Sequence, residues 1–234
     1  NNSVSYTDKP NAETFMREWT SLIESKSGER GSFNRVAAQK QAKKNCRRDP
    51  DYEFGTNPCS EIILRPYQFC NLTEVVVRSM DTNKDLSRKI RLATILGTAQ
   101  ATLTKFPYLR KIWTHNTEEE RLLGVSLTGI MDNVLTNGKD EYLCDRLRML
   151  RQVAVDTNKE YAKKWNIPQS TAITCVKPSG TVSQLCDSAS GIHARHSEYY
   201  IRTVRGDNKD PLTKFMIDMG VQNEPDVMKP NDTT

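Results

Sequence analysis

"NPCSEIILRPYQFCNL", residues 57–72, contains two of the six cysteines of the chain and decides how the surrounding sequence is interpreted. Cys59 follows an Asn-Pro pair and precedes Glu61 by two positions. Side chains alternate between the two faces of an extended strand, so Cys59 and Glu61 are predicted to point to the same side. Asn57 shares that side if the backbone stays extended past Pro58. The segment therefore predicts that a thiol, a carboxylate and an amide converge on one small ligand.

The segments on either side of this stretch alternate between strands and long helices. Short runs rich in β-branched residues predict strands at 61–66, 73–78 and 171–176. Helices are predicted at 83–106 and 140–165, where apolar residues recur at helical spacing. This order is typical of the α/β class, with a mostly parallel sheet or barrel. No clear linker divides the chain into two domains.

Other elements are predicted closer to the two ends of the chain. A first helix is capped by Asn11 and ends at Gly28, with an apolar stripe of Phe15, Trp19, Leu22 and Ile23. A largely polar helix follows at 34–45. A strand is predicted at 197–205, and a last helix is capped by Asp210 and ends at Gly220.

Composition excludes several classes of function. The chain has 234 residues, of which 36% are hydrophobic, which is enough for one good core or two small ones. No apolar run is long enough to span a membrane. The net charge of +5 is spread along the chain without interleaved aromatic residues, so direct nucleic-acid binding is not predicted, whereas small phosphorylated ligands suit the charge.

The cysteines are predicted to be free thiols. The sequence has no CxxC pair, no Cys/His spacing of the zinc type and no secretory signal, so a reducing cytoplasm is the expected location. Four cysteines are interpreted as structural: Cys46, Cys144, Cys175 and Cys186. His193 and His196 are three positions apart and could share a helix face, but no third ligand lies nearby and no metal site is predicted.

Cys59 and Cys70 admit two interpretations. Both could be small buried hydrophobic residues. A reactive thiol could instead attack as a thiolate, pair in a disulfide or give up a hydrogen atom. A thiolate nucleophile usually has a histidine base nearby, whereas the neighbour here is Glu61. The Asn-Pro-Cys-x-Glu setting favours a reactive thiol over a buried hydrophobic residue.

"KPSGT", residues 177–181, predicts a turn between a strand and a short helix. Backbone N–H groups at the start of that helix, together with the hydroxyls of Ser179 and Thr181, would make a cradle for an anion. An ordinary capped turn is the alternative interpretation.

The 57–72 segment resembles the finger-loop signature of ribonucleotide reductases. Further segments resemble the catalytic domain of the adenosylcobalamin-dependent, or class II, enzymes: "NNSVSYT" (1–7), "GSFNR" (31–35), "RLLGVSLTGIMD" (121–132), "TCVKPSGTVSQL" (174–185) and "SGIHARHSEYYIRTVR" (190–205). Cys70 follows Cys59 by 11 positions. This short interval resembles class II, because class I large subunits have a clearly longer one.

The resemblance implies a fold and a reaction. Residues 1–234 would form a single partial catalytic domain, part of a ten-stranded α/β barrel with a central finger loop. The reaction would be the reduction of ribonucleotides to deoxyribonucleotides by a cysteine thiyl radical, with adenosylcobalamin as the cofactor that initiates it.

The resemblance also implies the role of each site residue. Cys59 matches the cysteine that becomes a thiyl, shielded from solvent, and takes the 3′-hydrogen of the ribose. Glu61 matches the base for the 3′-hydroxyl, Asn57 the amide that hydrogen-bonds the substrate hydroxyls, and Cys70 one half of the redox pair. In a dry pocket Glu61 would have its pKa raised towards the working range. The phosphates of the substrate would bind at Pro178, Ser179, Gly180 and Thr181.

The implied partners are a ribonucleoside di- or triphosphate, a thioredoxin-like reductant and a complementary chain that carries the rest of the barrel. The family pattern includes a second redox cysteine upstream and a cysteine pair downstream, and neither is found in this sequence. The isolated chain is therefore expected not to turn over. Two alternatives stay open: a relative of the class I large subunit, and a non-catalytic nucleotide-binding module with the same fold.

Overall fold

The computed structural model describes residues 9–26, 31–44, 48–227 and 229–234, which fall into two compact units. The first unit extends to Arg195 and the second comprises His196–Thr234. In chain order, the elements of the first unit are α1 (Ala12–Glu24), α2 (Arg35–Lys44), β1 (Gly55–Thr56), β2 (Ile63–Leu64), β3 (Asn71–Val76), α3 (Asn83–Gln100), α4 (Lys111–Glu120), β4 (Leu123–Thr128), α5 (Leu143–Lys164) and α6 (Thr181–Leu185). The second unit contains α7 (Pro211–Asp218). A single domain over residues 1–234 stays a prediction.

A parallel sheet organises the first unit. β3 pairs with β4 in parallel along its whole length. The other edge of β4 contacts residues 172–175, where the N–H of Val125 donates to the carbonyl of Ile173 (2.8 Å) and the N–H of Cys175 donates to the carbonyl of Val125 (3.1 Å). The predicted strand at 171–176 thus contributes a single parallel bridge. Strands alternate with covering helices, so the predicted α/β class is confirmed.

The helices α3 and α5 pack together, and α3 covers one face of this sheet. The predicted stripe of α3 was Leu86, Ile90, Ala93 and Leu96. Its first three members are buried in the same cluster as the strands, as predicted, whereas 66% of Leu96 is exposed. Residues three and four positions apart lie on one face of a helix, which is why this spacing buries them together. α3 therefore covers one face of the sheet. Every second side chain of the strands points to the opposite face.

Besides the two-residue strand β1, which lies in a segment predicted as a loop, α4 and β4 were not predicted from the sequence. α4 has the sequence KIWTHNTEEE, and only the aromatic and apolar pair at Ile112 and Trp113 interrupts its polar run. β4 has the sequence LGVSLT, with Gly124 inside it and Gly129 directly after it, and glycine is depleted in strands. Tertiary packing overrides both weak local signals, since Leu123 and Val125 of β4 are buried, as are Asn116, Thr117 and Glu120 of α4.

The outer elements agree with the sequence in part. Asn11 caps α1 by accepting a hydrogen bond from the N–H of Thr14 (2.8 Å), as predicted, whereas Gly28 lies outside the described residues. The apolar stripe of α1 is not buried, and 65% of Ile23 is exposed. The predicted strand at 197–205 is wrong, because that segment is irregular and largely exposed. The last helix begins after Asp210 as predicted. No helix in the described ranges is long and apolar enough to cross a membrane.

Candidate thiol site

The tip of a short hairpin presents Cys59. β1 pairs antiparallel with β2, and residues 57–62 connect them. The N–H of Ser60 donates to the carbonyl of Asn57 (3.0 Å), which closes a turn with Pro58 at its second position, where the fixed φ of proline is favoured. Ser60 itself has a φ of 63°, in the left-handed region. We call β1, β2 and residues 57–62 the thiol hairpin.

Two expectations about Cys59 are wrong in this structure. The backbone turns between Cys59 and Glu61 and is not extended, so strand alternation does not relate their side chains. The Cys59 side chain is exposed at the tip, whereas shielding from solvent was expected. The physical reason is that a tight turn places its central residues furthest from the sheet that supports it, and no described residue covers this tip.

A buried ionic cluster anchors the base of the thiol hairpin to α4. Glu120 accepts hydrogen bonds from Arg48 Nε and Nη2, both at 2.7 Å, and from Gln68 Nε2 at 2.6 Å. Arg65 Nη2 lies 3.2 Å from Glu120 Oε1. Arg48 Nη1 donates to the carbonyl of Ile63 in β2 (2.7 Å), which ties the strand directly to the cluster. The position of the hairpin thus depends on ion pairs that are held away from water.

Glu61 lies below the tip with its side chain only 1% exposed. Its Oε1 accepts a hydrogen bond from Lys177 Nζ at 3.2 Å, and the Asn57 amide also hydrogen-bonds the carboxylate. The second oxygen, Oε2, is buried and has no hydrogen-bond partner. The structure therefore brings Asn57 and Glu61 together, as the sequence predicted, and leaves one acceptor oxygen unused.

The pKa of Glu61 is lowered, contrary to the raised value expected from a dry pocket. Burial acts to raise the pKa, but hydrogen bonds from its own backbone, from Asn57 and from Lys177, together with the Lys177 charge, outweigh it. The expected direction of the pKa shift is wrong because the sequence indicated the burial of this carboxylate but not the ammonium group of Lys177 beside it. Glu61 is ionised at neutral pH in this structure.

Two thiols lie on the same side of the sheet as Glu61. Burial raises the pKa of Cys70, and the negative charge of Glu61 raises it further. Burial, Glu61 and Cys70 together raise the pKa of Cys175 to about 12. Cys175 was interpreted as structural, yet it lies within electrostatic range of Glu61, Cys70 and Lys177. Both thiols are protonated at neutral pH.

Gly124 of β4 has no side chain, which leaves room on this face of the sheet for the Cys175 thiol. A Cβ atom there would lie 3.0 Å from Cys175 Sγ, 2.4 Å from Leu72 Cδ2 and 3.1 Å from Ile62 Cδ1. Cys175 and Cys70 belong to segments on opposite edges of β4, about 9.6 Å apart at the usual strand spacing. This separation is too large for a direct disulfide between them without backbone movement.

The 178–181 turn follows Lys177 directly. Ser179 is buried, and its Oγ has no hydrogen-bond partner. Pro178, Gly180 and Thr181 are exposed, and Gly180 caps α6 without a side-chain hydrogen bond. The first N–H groups of a helix have no partner inside it, so the turn presents free backbone donors beside one unsatisfied hydroxyl.

The two predicted histidines of "GIHARH" do not share a helix face, because the segment is irregular. His193 is exposed and lies in a turn in which its N–H donates to the carbonyl of Ser190 (2.8 Å). His196 belongs to the second unit. Within the described ranges, no group of three or more His, Cys, Asp or Glu side chains could hold a metal ion.

A cavity of about 170 Å³ lies next to Glu61. It is lined by residues of α2, by Arg48 and Glu61, by β2 and by residues 171–174. Ligand sites usually occupy about 300–1,000 Å³. The cavity formed by the described residues is therefore smaller than a site that encloses a whole nucleotide.

Sequence reasoning missed two residues of this site, Lys177 and Cys175. Lys177 follows Cys175 by two positions, so in an extended segment both point to the same side. That alternation was the available signal.

Comparisons with known proteins place the chain among ribonucleotide reductases. No family model matches. The chain is 32% identical over 202 residues to an adenosylcobalamin-dependent ribonucleoside-triphosphate reductase from Lactobacillus gasseri, covering 76% of the chain and 27% of that protein. It is 29% identical over 176 residues to a probable enzyme of the same name from Dictyostelium discoideum, covering 74% of the chain and 22% of that protein.

A solved structure is also similar. The crystal structure of a B12-dependent (class II) ribonucleotide reductase superposes with a TM-score of 0.57 at 27% identity, covering 76% of this chain and 28% of that one. The chain thus spans only 22–28% of the length of these three relatives.

Proposed function

The chain belongs to the family of adenosylcobalamin-dependent, class II ribonucleotide reductases, and on that premise we propose that it supplies the part of their catalytic domain that reduces the ribose of a ribonucleotide. The observation that carries the proposal is the cluster below the hairpin tip. Asn57 and Lys177 both hydrogen-bond the buried carboxylate of Glu61, and the Cys70 thiol lies within electrostatic range of it. A structural role alone does not require a buried carboxylate with one oxygen left unpaired.

Each residue has a chemical role in this proposal. Cys59 becomes a thiyl radical and takes the 3′-hydrogen atom of the ribose, and Glu61 accepts the 3′-hydroxyl proton at its unused Oε2. Asn57 orients the hydroxyls. The C2′–O bond then breaks, and the hydroxyl leaves as water. Cys70 with a second thiol supplies one hydrogen to that water and one to C2′ and becomes a disulfide. Cys59 then returns the hydrogen atom to C3′, and Glu61 returns the proton to the 3′ oxygen. General acid–base assistance of this kind contributes about 10²–10⁴-fold to a rate.

One feature of the described residues, an exposed thiol, fits adenosylcobalamin as the cofactor. Bound adenosylcobalamin supplies the carbon radical that removes a hydrogen atom from a thiol. An accessible thiol is needed for that transfer, and the exposed side chain of Cys59 meets the requirement. We therefore propose that Cys59 is the residue of this chain that faces the cofactor.

The phosphates of the substrate are proposed to bind at Pro178, Ser179, Gly180 and Thr181. The buried, unpartnered Oγ of Ser179 supports this assignment, because an unsatisfied buried hydroxyl is costly without a ligand. The basic excess of the chain suits a nucleoside di- or triphosphate.

Larger assembly is part of the same proposal. The parallel sheet would continue into the ten-stranded barrel of the family, with the rest of the barrel supplied by a complementary chain. A thioredoxin-like protein would reduce the disulfide. A cytoplasmic location, in which the thiols stay reduced, stays a prediction.

The test is deoxynucleotide formation by the assembled enzyme that contains this chain, supplied with adenosylcobalamin, a dithiol and ribonucleoside triphosphates. Cys59→Ser is expected to abolish product and Glu61→Gln to reduce it by at least about 10²-fold. Cys144→Ser, which removes an exposed thiol from α5, is the matched control and should keep full activity. Product formed by Cys59→Ser at the normal rate would falsify the proposal.

A further inference from the structure

Lys177 links the thiol hairpin to the 178–181 turn. Its Nζ donates to Glu61 Oε1 at 3.2 Å, and the next residue in the chain begins the turn. The backbone at this position is held in place, since its N–H donates to Ser126 Oγ (2.9 Å). The Lys177 side chain is 28% exposed, whereas that of Glu61 is 1% exposed. Lys177 is therefore the more accessible partner of the pair.

The polar and titratable groups near Glu61 and Lys177 include members of three segments. The thiol hairpin contributes Asn57 and the Cys59 thiol, the start of β3 contributes Cys70, and the segment after β4 contributes Cys175 and Lys177. Arg48 also lines the cavity next to Glu61, but it is paired with Glu120, and Lys177 is the positively charged group that hydrogen-bonds Glu61. Its own pKa is raised; burial acts against the shift, but the hydrogen bond and charge of Glu61 outweigh it, with smaller contributions from Cys59 and Cys175.

This pairing conflicts with the task proposed for Glu61. A carboxylate that already binds an ammonium group is a weaker base, because taking up a proton breaks the ion pair. A base that must act only when substrate is present needs its partner removed at that moment. The phosphate groups of a nucleotide carry more negative charge than one carboxylate, and they would bind next to Lys177.

We propose that Lys177 is a positioning residue that changes partner: it binds Glu61 in the empty site and moves to the phosphate groups of a nucleotide held at residues 178–181. The inference rests on the proposed function, since it takes the phosphate site from there. Its consequence is that the carboxylate of Glu61 becomes a free base only when a phosphorylated ligand is bound. The step is an exchange of ion-pair partners, and no bond is formed or broken covalently.

The experiment measures the titration of the Glu61 side chain in the full chain by NMR with ¹³C-labelled glutamate, and assigns the resonance with Glu61→Gln. Inorganic triphosphate is the probe. In the parent chain, triphosphate should shift the titration midpoint of Glu61 upward. Lys177→Met should shift it upward without any ligand and should abolish the response to triphosphate. Lys177→Arg should restore the response, because arginine keeps the positive charge and reaches a similar distance.

Lys84→Met is the matched control, since it removes an exposed lysine charge from the start of α3. It should leave both the midpoint and the triphosphate response unchanged. Backbone amide shifts at Ser179 and Gly180 report binding separately. If those amides respond to triphosphate while the Glu61 midpoint does not move, the partner exchange is refuted and the phosphate site stands. If neither responds, the phosphate site of the proposed function is refuted, and the exchange with it.

Discussion

Replacing Glu120 by glutamine should be the most damaging isosteric change in the first unit. The Glu120 side chain is 1% exposed and pairs with Arg48 and Arg65, whose side chains are 6% and 2% exposed. The variant keeps the shape and one acceptor oxygen but removes the negative charge between two buried guanidinium groups. Breaking a buried ion pair by neutralising one partner costs about 3–5 kcal/mol.

The loss can be measured by urea unfolding. With a slope of about 2 kcal/mol per molar urea, a loss of about 4 kcal/mol lowers the midpoint by about 2 M. Trp113 of α4, whose ring centroid lies 4.5 Å from that of Phe69, reports this unit by fluorescence. Circular dichroism at the same urea concentrations shows whether the helices unfold in the same transition.

Glu160→Gln provides the matched control. Glu160 also pairs with two basic side chains, Arg91 at 2.8 Å and Lys164 at 2.6 Å, but its side chain is 37% exposed. Exposed pairs contribute about 0–1 kcal/mol, so the midpoint should hardly move. Equal losses in the two variants would refute the reasoning, because burial is the property by which the two sites differ.

Three further predictions concern the site. Gly124→Ala should lower the free energy of unfolding by about 1–3 kcal/mol, since the added methyl group would lie 2.4 Å from Leu72 Cδ2; an unchanged urea midpoint would contradict this. At pH 8, iodoacetamide should modify the exposed Cys59 well before Cys175, because a pKa of about 12 leaves about one part in 10,000 of that thiol ionised; peptide mass mapping gives the order, and early labelling of Cys175 would refute the assigned burial. The lowered pKa of Glu61 means that its ionisation stabilises the fold above about pH 4.5 and that this contribution is lost as the pH falls through the lower folded value. The stability of the parent chain should therefore fall relative to Glu61→Gln below that pH, and parallel pH profiles would count against it.

Local signals predicted the elements that depend on nearest neighbours. The stripe of Leu86, Ile90 and Ala93 in α3 and the Asn11 cap of α1 involve residues within one or two helical turns. The strand at 73–78 was predicted because its β-branched residues fit a pleated surface. β4 was missed, because Gly124 weakens that same signal.

The sequence predicted which residues meet in the candidate site better than it predicted how they are arranged. Asn57 and Glu61 meet as expected, but a turn brings them together and not an extended strand. Cys59 was predicted to be shielded and is exposed, and the pKa of Glu61 was predicted to be raised and is lowered. Each depends on which distant residues cover or pair with a group, and spacing along the chain carries no such information.

The order of residues along the chain was sufficient for the alternation of helices and strands, for the two thiols with their carboxylate, and for the family to which they belong. These features depend on short-range sterics, on hydrophobic period and on a motif that is contiguous in sequence. The three-dimensional arrangement alone decided that Lys177, 116 positions after Glu61, supplies the charge beside it. Electrostatic interaction falls off with distance in space and not with separation along the chain, so only the folded structure assigns that partner.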